Sequence, residues 1–275
     1  MRNSVNGGAF APNGYFNLKN QDWLDKQRIA GKIAARTLIL LKNLINDKYA
    51  LTGTAKYTLA ELNKKAEDYI ISQGGTPTFK GYKGFPAGVC ISVNKHLVHG
   101  IPNDYKLVDG DVVSFDLGVT VEGAIADTAI TCIFGQPKSD QHVRLVAATE
   151  AALTAAIASI KIGNRLGCIG AAISKCAKEH KFGVIDQYGG HGLDWNTPHS
   201  APFVANKSGP DEGIRIQTGL AIAIEPMFVI GSSTTKVLDD GWTVVTNDIS
   251  AHWEHSVFVH EDHVEVITDR NIIDV

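Results

Sequence analysis

Two aspartates, Asp116 and Asp127, lie in a stretch that the sequence predicts to be a β-hairpin, VVSFDLGVTVEGAIADTAIT. Apolar residues alternate with smaller or polar ones from Val113 to Val121, which is the period of a packed strand. If Thr120 to Gly123 form the loop, the two aspartates face each other on neighbouring strands. Like charges placed opposite each other destabilise a strand pair. The hairpin therefore indicates that another group neutralises these carboxylates.

Three further groups could join the two aspartates. Glu225 lies in the apolar run AIAIEPMFVI, Glu254 lies in HWEHSVFV, and His191 lies between glycines in GGHG, where the backbone can approach a ligand closely. Neither lysine nor arginine occurs from residue 109 to 131 or from 219 to 233. Burying several unpaired carboxylates is strongly unfavourable. A divalent cation would remove that cost, and four carboxylates carry more charge than one such ion neutralises.

This residue set predicts two divalent metal ions bridged by carboxylates. Oxygen ligands with one imidazole suit Mn, Fe, Co or Zn. Two ions about 3.5–4 Å apart bind a bridging water, lower its pKa and polarise a carbonyl, which is hydrolytic chemistry. A structural calcium site is the alternative, and His191 and the central placement of the acids count against it. His99 in VHGIPND and His199 in NTPHSAP could stabilise an oxyanion or hold a substrate amide.

Helices and strands must bring these residues together. The apolar periodicity predicts helices over Asp22–Ile45, Leu59–Ser72, Asp140–Ile160 and Leu166–His180. Thr58 and Glu61 have the spacing of a capping box at the start of the second helix. A strand hairpin is expected from Gly81 to Leu97.

The second half of the chain repeats the element order of the first. Asp116 and Glu225 are 109 residues apart, and so are Gly110 and Gly219, each of which precedes an apolar strand. This spacing predicts two helix–helix–sheet halves that face each other across a central cleft. The predicted fold class is α+β, with a mainly antiparallel sheet and helices on one side.

Length and composition narrow the possible functions. The 275 residues suffice for one large core or at most two domains, and the formal net charge of −3 gives no basic surface for nucleic acid. No segment approaches the roughly 18 consecutive apolar residues of a membrane span. Four scattered cysteines favour reduced thiols in a cytoplasmic protein. Residues 1–20 are expected to form a flexible N-terminal tail without signal or transit features.

Several motifs occur in the order typical of one known family. They are GYKGFPAGVCISVNKHLVHGIPND, GDVVSFDLGVTVEGAIADTA, IGAAI, YGGHGL, AIAIEPM, DGWT and WEHSVFV, between about residues 21 and 268. On these residues the chain resembles the type I methionine aminopeptidases of the pita-bread metallopeptidase family. The resemblance implies a single pita-bread catalytic domain over residues 21–275, with duplicated halves around the sheet.

The resemblance also implies a role for each site residue. Asp116, Asp127, His191, Glu225 and Glu254 match the family's five metal ligands, and Asp127 and Glu254 are expected to be shared by the two ions. Glu225 is further expected to be the general base that guides the proton of a metal-bridging hydroxide to the leaving amine.

His199 resembles the histidine that stabilises the tetrahedral intermediate, and His99 resembles the one that contacts the scissile amide. The residues that match the methionine side-chain pocket are Tyr82, Phe85, Cys90 and Trp242.

The implied activity is removal of the N-terminal methionine from nascent polypeptides with a small second residue. The implied partners are nascent N-termini at the ribosome, with no nucleic-acid or membrane partner, and a cytoplasmic monomer is expected. Two alternatives stay open at this point. One is an Xaa-Pro aminopeptidase on the same scaffold, and the other is a non-catalytic pita-bread protein that binds ribosomes, RNA or proteins.

The sequence departs from the family pattern near two predicted site residues. Lys83 stands where a histidine is usual. His199 follows His191 by eight residues rather than seven, so the segment LDWNTP holds one extra residue, and Ser200 replaces an acidic residue. If Asp194 lies near the metals, it is expected to alter the electrostatics or the substrate entrance.

Overall fold

The computed structural model describes residues 16–46 and 53–271 of the chain. Its helices are α1 (Gln21–Ile45), α2 (Leu59–Ser72), α3 (Asp140–Ala158) and α4 (Gly167–His180), with a short 3₁₀ turn at Tyr82–Gly84. Its strands are β1 (Thr54–Thr58), β2 (Thr76–Pro77), β3 (Cys90–Val93), β4 (His96–Val98), β5 (Lys106–Val108), β6 (Val112–Val121), β7 (Ala124–Ile133), β8 (Gly183–Val184), β9 (Gly189–Asp194), β10 (Thr197–Ala205), β11 (Ala221–Ile224), β12 (Met227–Val229), β13 (Thr235–Val237), β14 (Val244–Thr246), β15 (Ser250–His252), β16 (Glu254–Val259) and β17 (Val264–Val266).

All four predicted helices are confirmed, within two residues at each end. At the start of α1, the side chain of Asn20 accepts a hydrogen bond from the backbone N–H of Trp23. At the start of α2, Thr58 and Glu61 form the predicted capping box, in which each side chain accepts a hydrogen bond from the other's backbone N–H. These bonds satisfy N–H groups that have no partner within the helix.

The main sheet has nine antiparallel strands. Their order is β10-β9-β11-β16-β7-β6-β2, and β17 pairs with β16 while β3 pairs with β6. The order is symmetric about the central β16–β7 pair, because β11 flanks this pair on one side and β6 on the other. Asp116 on β6 and Glu225 just after β11 therefore lie at related places, as their 109-residue separation predicts.

The helices cover one face of this sheet. Phe115 and Leu117 on β6 belong to the same buried core as Trp23 and Leu38 of α1, and α1 packs against β6 and β7. Successive side chains of a strand point to opposite faces. Asp116 therefore lies on the face away from the helices, which confirms the predicted α+β arrangement with helices on one side.

The predicted register of the β6–β7 hairpin is wrong by two residues. The turn contains only Glu122 and Gly123, and both have positive φ angles, 46° and 85°. Such two-residue turns match the twist of the flanking strands. Asp116 consequently pairs with Ala129, and Asp127 pairs with Gly118. The two aspartates are diagonal neighbours on one face and are not directly opposed.

The predicted strand hairpin from Gly81 to Leu97 is also shorter than expected. It begins only at β3, because the preceding residues form the 3₁₀ turn. Gly81, Lys83 and Gly84 have φ angles of 82°, 49° and 89°, and a strand cannot continue through this left-handed backbone.

The predicted N-terminal tail lies partly outside the described residues, since residues 1–15 are not among them. Residues 16–20 lead into α1 without regular secondary structure. Within them, the backbone N–H of Lys19 donates to the carbonyl of Gly219, and the Lys19 ammonium lies 2.7 Å from Asp194 Oδ1. The chain thus packs against its own second half before α1 begins. The bounds of the catalytic domain, residues 21–275, stay a prediction.

Among the helices of the described ranges, none is long and apolar enough to cross a membrane.

Candidate metal centre

The five predicted ligands come from neighbouring strands at the middle of the main sheet. Asp116 lies on β6, Asp127 on β7, His191 on β9 and Glu254 on β16, and Glu225 directly follows β11. These strands are consecutive in the order β9-β11-β16-β7-β6. Residues that are far apart in sequence therefore converge on one patch of the sheet.

Their ligand atoms form one connected cluster. Asp116, Asp127 and Glu254 each place a carboxylate oxygen within 4.8 Å of the other two, and the same limit holds among His191, Glu225 and Glu254. His191 Nε2 lies 3.7 Å from Glu225 Oε1 and 3.9 Å from both Asp127 Oδ2 and Glu254 Oε1. Glu254 belongs to both groups and thus connects the two sides of the cluster.

Without a bound cation, burial makes the ionised forms of these carboxylates unfavourable. Asp127 and Glu254 are 1% and 2% exposed. Burial, with repulsion from Asp127, raises the pKa of Asp116 and that of Glu254 well above the usual range. Burial also raises the pKa of Asp127 to about 6, although the nearby His191 opposes the shift. Each carboxyl group therefore resists ionisation beside the others.

The cluster fits a divalent cation. Both carboxylate oxygens of Asp127 are buried and accept no hydrogen bond from any described residue. Buried polar atoms in proteins nearly always have a partner. Carboxylate oxygens together with one imidazole are a donor set for first-row divalent metals. A cation bound among these side chains would supply the missing partner and offset the mutual repulsion.

Glu225 differs from the other carboxylates because of a residue that the sequence did not reveal. His252, at the end of β15, is 1% exposed and places Nε2 3.2 Å from Glu225 Oε2. Burial alone would raise the pKa of Glu225, but the contact with His252 outweighs it and lowers the pKa. The only available signal was position: His252 lies two residues before Glu254, a spacing that places side chains on one face of a strand.

His99 and His199 lie beside the cluster. The His199 ring is 4.5 Å from the His191 ring and 5.4 Å from the Tyr82 ring, centroid to centroid. Burial lowers the pKa of His99 to about 4, and burial together with the nearby His191 lowers the pKa of His199 well below its usual value. Both imidazoles are therefore neutral at pH 7, so each offers one N–H donor and one acceptor nitrogen.

A β-bulge in the β9–β10 pairing accommodates the extra residue before His199. Asp194 pairs with Thr197 and Gly192 pairs with Ser200, so β10 holds one more residue than β9 over this interval. This bulge lets His199 reach the cluster despite the longer spacing. Asp194 does not line the cavity beside the cluster, so the condition under which it would alter the electrostatics or the substrate entrance is not met. Its carboxylate pairs with Lys19 at the far end of the hairpin.

A cavity of about 150 Å³ opens beside the cluster, and all eleven predicted site residues line it. Phe85 and Cys90 belong to a small buried apolar cluster against which Trp242 packs, with the Phe85 and Trp242 rings 5.2 Å apart in an edge-to-face arrangement. Burial raises the pKa of the Cys90 thiol well above its usual value, so the thiol stays neutral and apolar in character. One wall of the cavity therefore carries acids and the other carries aromatic rings.

Other lining residues were not predicted from sequence. They are Phe79, Lys83, Val98, Gln187, Tyr188, Gly189, Phe203 and Met227. Lys83, which stands where the family usually has a histidine, contributes to lowering the pKa of His199.

Comparisons with known proteins agree with this geometry. A family model described as metallopeptidase family M24 matches residues 25–261. The methionine aminopeptidase of Mycoplasma capricolum is 41% identical over 253 residues, which cover 91% of this chain and 97% of that protein. The crystal structure of methionine aminopeptidase from Thermotoga maritima superposes with a TM-score of 0.86 at 31% identity, covering 93% of this chain and all of that one.

A more distant solved structure shares the fold alone. The prolidase from Pyrococcus furiosus has a TM-score of 0.70 at 19% identity, and the match covers 92% of this chain but 65% of the prolidase. The pita-bread fold expected from the sequence motifs is thus confirmed.

Proposed function

The chain belongs to metallopeptidase family M24, and we propose that it is a methionyl aminopeptidase, which removes the N-terminal methionine from polypeptides with a small second residue. One observation carries the proposal: a buried cluster of four carboxylates and a histidine lies on one wall of a cavity whose other wall is aromatic. The first wall suits peptide hydrolysis, and the second suits a thioether side chain.

The ligands would be the five strand-borne residues. We propose two divalent ions, of Co, Mn, Fe or Zn, held by Asp116, Asp127, His191, Glu225 and Glu254, with Asp127 and Glu254 shared. Bound there, such ions would polarise the scissile carbonyl and activate a water as nucleophile. Support for two ions comes from the two overlapping ligand groups that meet at Glu254.

Glu225 is the proposed general base. Its Oε1 faces His191 at 3.7 Å, inside the cluster, while Oε2 contacts His252 at 3.2 Å. Contact with His252 keeps this carboxylate ionised, and an ionised carboxylate can accept the proton of the attacking water. The same group then donates that proton to the leaving amine of the second residue.

His99 and His199 are proposed to act on the substrate amide. Both are neutral and line the cavity next to the acids. A neutral imidazole N–H of His199 can donate a hydrogen bond to the oxygen of the tetrahedral intermediate, which stabilises the charge that develops there. His99 can hold the scissile amide by a hydrogen bond and thereby fix the orientation of the peptide.

The proposed methionine pocket is formed by Tyr82, Phe85, Cys90 and Trp242. Sulfur–aromatic contacts are each worth about 0.3–1.5 kcal/mol. The small second residue is a steric requirement outside this pocket. The substrates are nascent polypeptide N-termini at the ribosome, so the proposal also places the protein in the cytoplasm. A monomer is proposed as well.

A peptide panel tests this function. Met-Ala, Met-Gly, Met-Leu, Leu-Ala and Ala-Pro peptides are each assayed with Mn, Co, Fe or Zn supplied to the metal-free protein. We expect cleavage of Met-Ala and Met-Gly, with little cleavage of the others. Preference for Ala-Pro would instead identify an Xaa-Pro peptidase. Failure to cleave any peptide, together with failure to bind metal, would leave a non-catalytic binding protein.

A further inference from the structure

A second group of metal-ligating side chains lies outside the cavity, in the turn that joins β16 to β17 and on β17 itself. It consists of His260, His263 and Glu265, each of which offers a ligand atom within 4.8 Å of the other two. The β16–β17 pairing places Glu265 opposite Phe258, two residues before His260, so His260 and Glu265 share a face of the hairpin. None of these residues lines the catalytic cavity.

The turn itself fixes the spacing of the two histidines. The backbone N–H of His260 donates to the carbonyl of His263 at 2.9 Å, which closes the loop. The two imidazole rings are nearly parallel, with an interplanar angle of 6° and centroids 4.3 Å apart. Parallel rings at this distance can present ring nitrogens on the same edge, beside the Glu265 carboxylate.

Neighbouring side chains already orient the ligand atoms. His260 Nε2 lies 2.7 Å from Glu265 Oε2, and His263 Nδ1 lies 2.7 Å from Asp262 Oδ1. The bond to Asp262 leaves Nε2 as the nitrogen of His263 that can bind a metal. A carboxylate that holds the other nitrogen of a ligating histidine is a common feature of protein metal sites.

Glu265 is ionised and partly shielded from solvent. Arg28 of α1 donates two hydrogen bonds to its carboxylate, at 2.8 and 2.7 Å, and these bonds lower the pKa of Glu265, with His260 contributing. The Arg28 guanidinium competes for the same oxygens, so a bound cation would share Glu265 with it.

We propose that His260, His263 and Glu265 form a separate binding site for a divalent transition metal of the zinc class. Two imidazoles and a carboxylate are a common ligand set for Zn²⁺. A tetrahedral ion with bonds of about 2.0–2.1 Å holds its ligand atoms roughly 3.3 Å apart. For binding, the His260 imidazole carries its proton on Nδ1, so Nε2 exchanges its contact with Glu265 for the ion, and a small rotation of the more exposed His263 brings its Nε2 into range. Solvent supplies the fourth ligand.

The site is independent of the proposed peptidase function, because it uses no residue of the cavity. Its occupancy can be measured without any substrate. The full-length protein is stripped of metal and titrated with Zn²⁺ against a chromophoric chelator, and bound zinc is counted by mass spectrometry. The test variant is His263→Ala, because this side chain is exposed and its loss should not disturb folding. His180→Ala, which removes another exposed histidine at the end of α4, is the matched control.

We expect the wild-type protein and His180→Ala to bind one zinc equivalent more than His263→Ala, or to bind that equivalent at least about tenfold more tightly. Thermal melting of the metal-free variants checks that both are folded. Peptidase activity with saturating Mn²⁺ should be equal in all three proteins. Equal zinc stoichiometry and affinity in His263→Ala and the wild type would overturn the proposal, and so would an equal loss in His180→Ala.

Discussion

His252 Nε2 lies 3.2 Å from Glu225 Oε2 in the interior of the site, and neither ring nitrogen of His252 makes a hydrogen bond to a described residue. The contact fixes one oxygen of Glu225, which leaves Oε1 directed at His191 and the remaining carboxylates. The two carboxylates thus differ in state: Glu254 resists ionisation, whereas Glu225 has a lowered pKa. This asymmetry supports the proposal that Glu225 accepts the proton.

The first prediction concerns Glu225 itself. Glu225→Gln keeps the shape of the side chain and its contact with His252 but removes the basic oxygen. We expect kcat for a Met-Ala peptide to fall about 10²–10⁴-fold, because a positioned general base contributes that much. Steady-state kinetics with saturating Mn²⁺ measure the change, and thermal melting checks the fold. Glu179→Gln, an exposed change on α4, should leave kcat unaltered. Unchanged turnover in Glu225→Gln would remove the general-base assignment.

The second prediction tests whether His252 orients the Glu225 carboxylate or only fills the space beside it. His252→Ala should lower kcat or Mn²⁺ affinity about 10–100-fold, as is usual when a group that orients a metal ligand is lost. His252→Gln should restore much of both, because an amide N–H can donate to Glu225 Oε2. KM for the peptide should change little in either variant. Equal defects in the two variants, with equal melting temperatures, would argue against an orienting role.

The clustering of the five proposed ligands was predictable from sequence because each acid stands out within its own short stretch. Glu225 and Glu254 are acids within apolar strands, and no basic residue accompanies Glu225 or Asp116 over the neighbouring stretch. Burying such groups requires a cation, and that physical requirement holds whatever the register of the strands. The repeat spacing then related Asp116 to Glu225 before any strand pairing was known.

Strand register and long-range contacts were not predictable in the same way. The turn at Glu122-Gly123 has a positive φ at a glutamate, 46°, which is uncommon for a residue other than glycine, and the supposed loop from Thr120 to Gly123 misplaced Asp127 by two residues. His252 reaches Glu225 because β15 pairs with β12, with His252 opposite Met227. That pairing depends on the tertiary fold. The link between Lys19 and Asp194 likewise joins residues 175 positions apart, and neither local sequence indicates it.

The third prediction concerns metal removal. Because the carboxylates of Asp116, Asp127 and Glu254 repel one another in the buried site, the metal-free protein should unfold more readily than the loaded one. A ligand at 100 times its dissociation constant adds about 2.7 kcal/mol to the free energy of unfolding. For a chain of this size we expect Mn²⁺ to raise Tm by about 5–10 °C. Differential scanning calorimetry after chelator treatment and Mn²⁺ addition measures the shift, and coincident melting curves would contradict a metal centre.

The fourth prediction gives the pH dependence of metal binding. In the metal-free fold the pKa of Asp127 is raised to about 6, and those of Asp116 and Glu254 are raised further by burial. Below these values the carboxyl groups hold protons that a metal must displace, so affinity falls as pH falls and rises as pH increases. We expect Mn²⁺ to bind about tenfold more tightly per pH unit for each proton released.

Calorimetric titration at pH 5.5, 6.5 and 7.5 measures this dependence. Repeating each titration in two buffers with different ionisation enthalpies counts the protons released. A dissociation constant that stays the same over this range, with no proton release, would show that the carboxylates are already ionised in the metal-free protein.

The fifth prediction concerns the aromatic wall of the cavity. Trp242→Ala removes the ring that packs edge-to-face on Phe85, 5.2 Å away, and widens the proposed methionine pocket. Loss of sulfur–aromatic contact worth about 0.3–1.5 kcal/mol should raise KM for a Met-Ala peptide about 2–12-fold. A peptide with norleucine in place of methionine lacks the sulfur, so its KM should rise less.

Trp195→Ala is the matched control for this variant, because Trp195 lies in the β9–β10 turn against Trp23 and does not line the cavity. It should leave both KM values unchanged. If Trp242→Ala raised KM equally for the methionine and norleucine peptides, Trp242 would act through shape alone. If it left KM unchanged for both, the aromatic wall would not be the methionine pocket, and the side chain would have to bind elsewhere in the cavity.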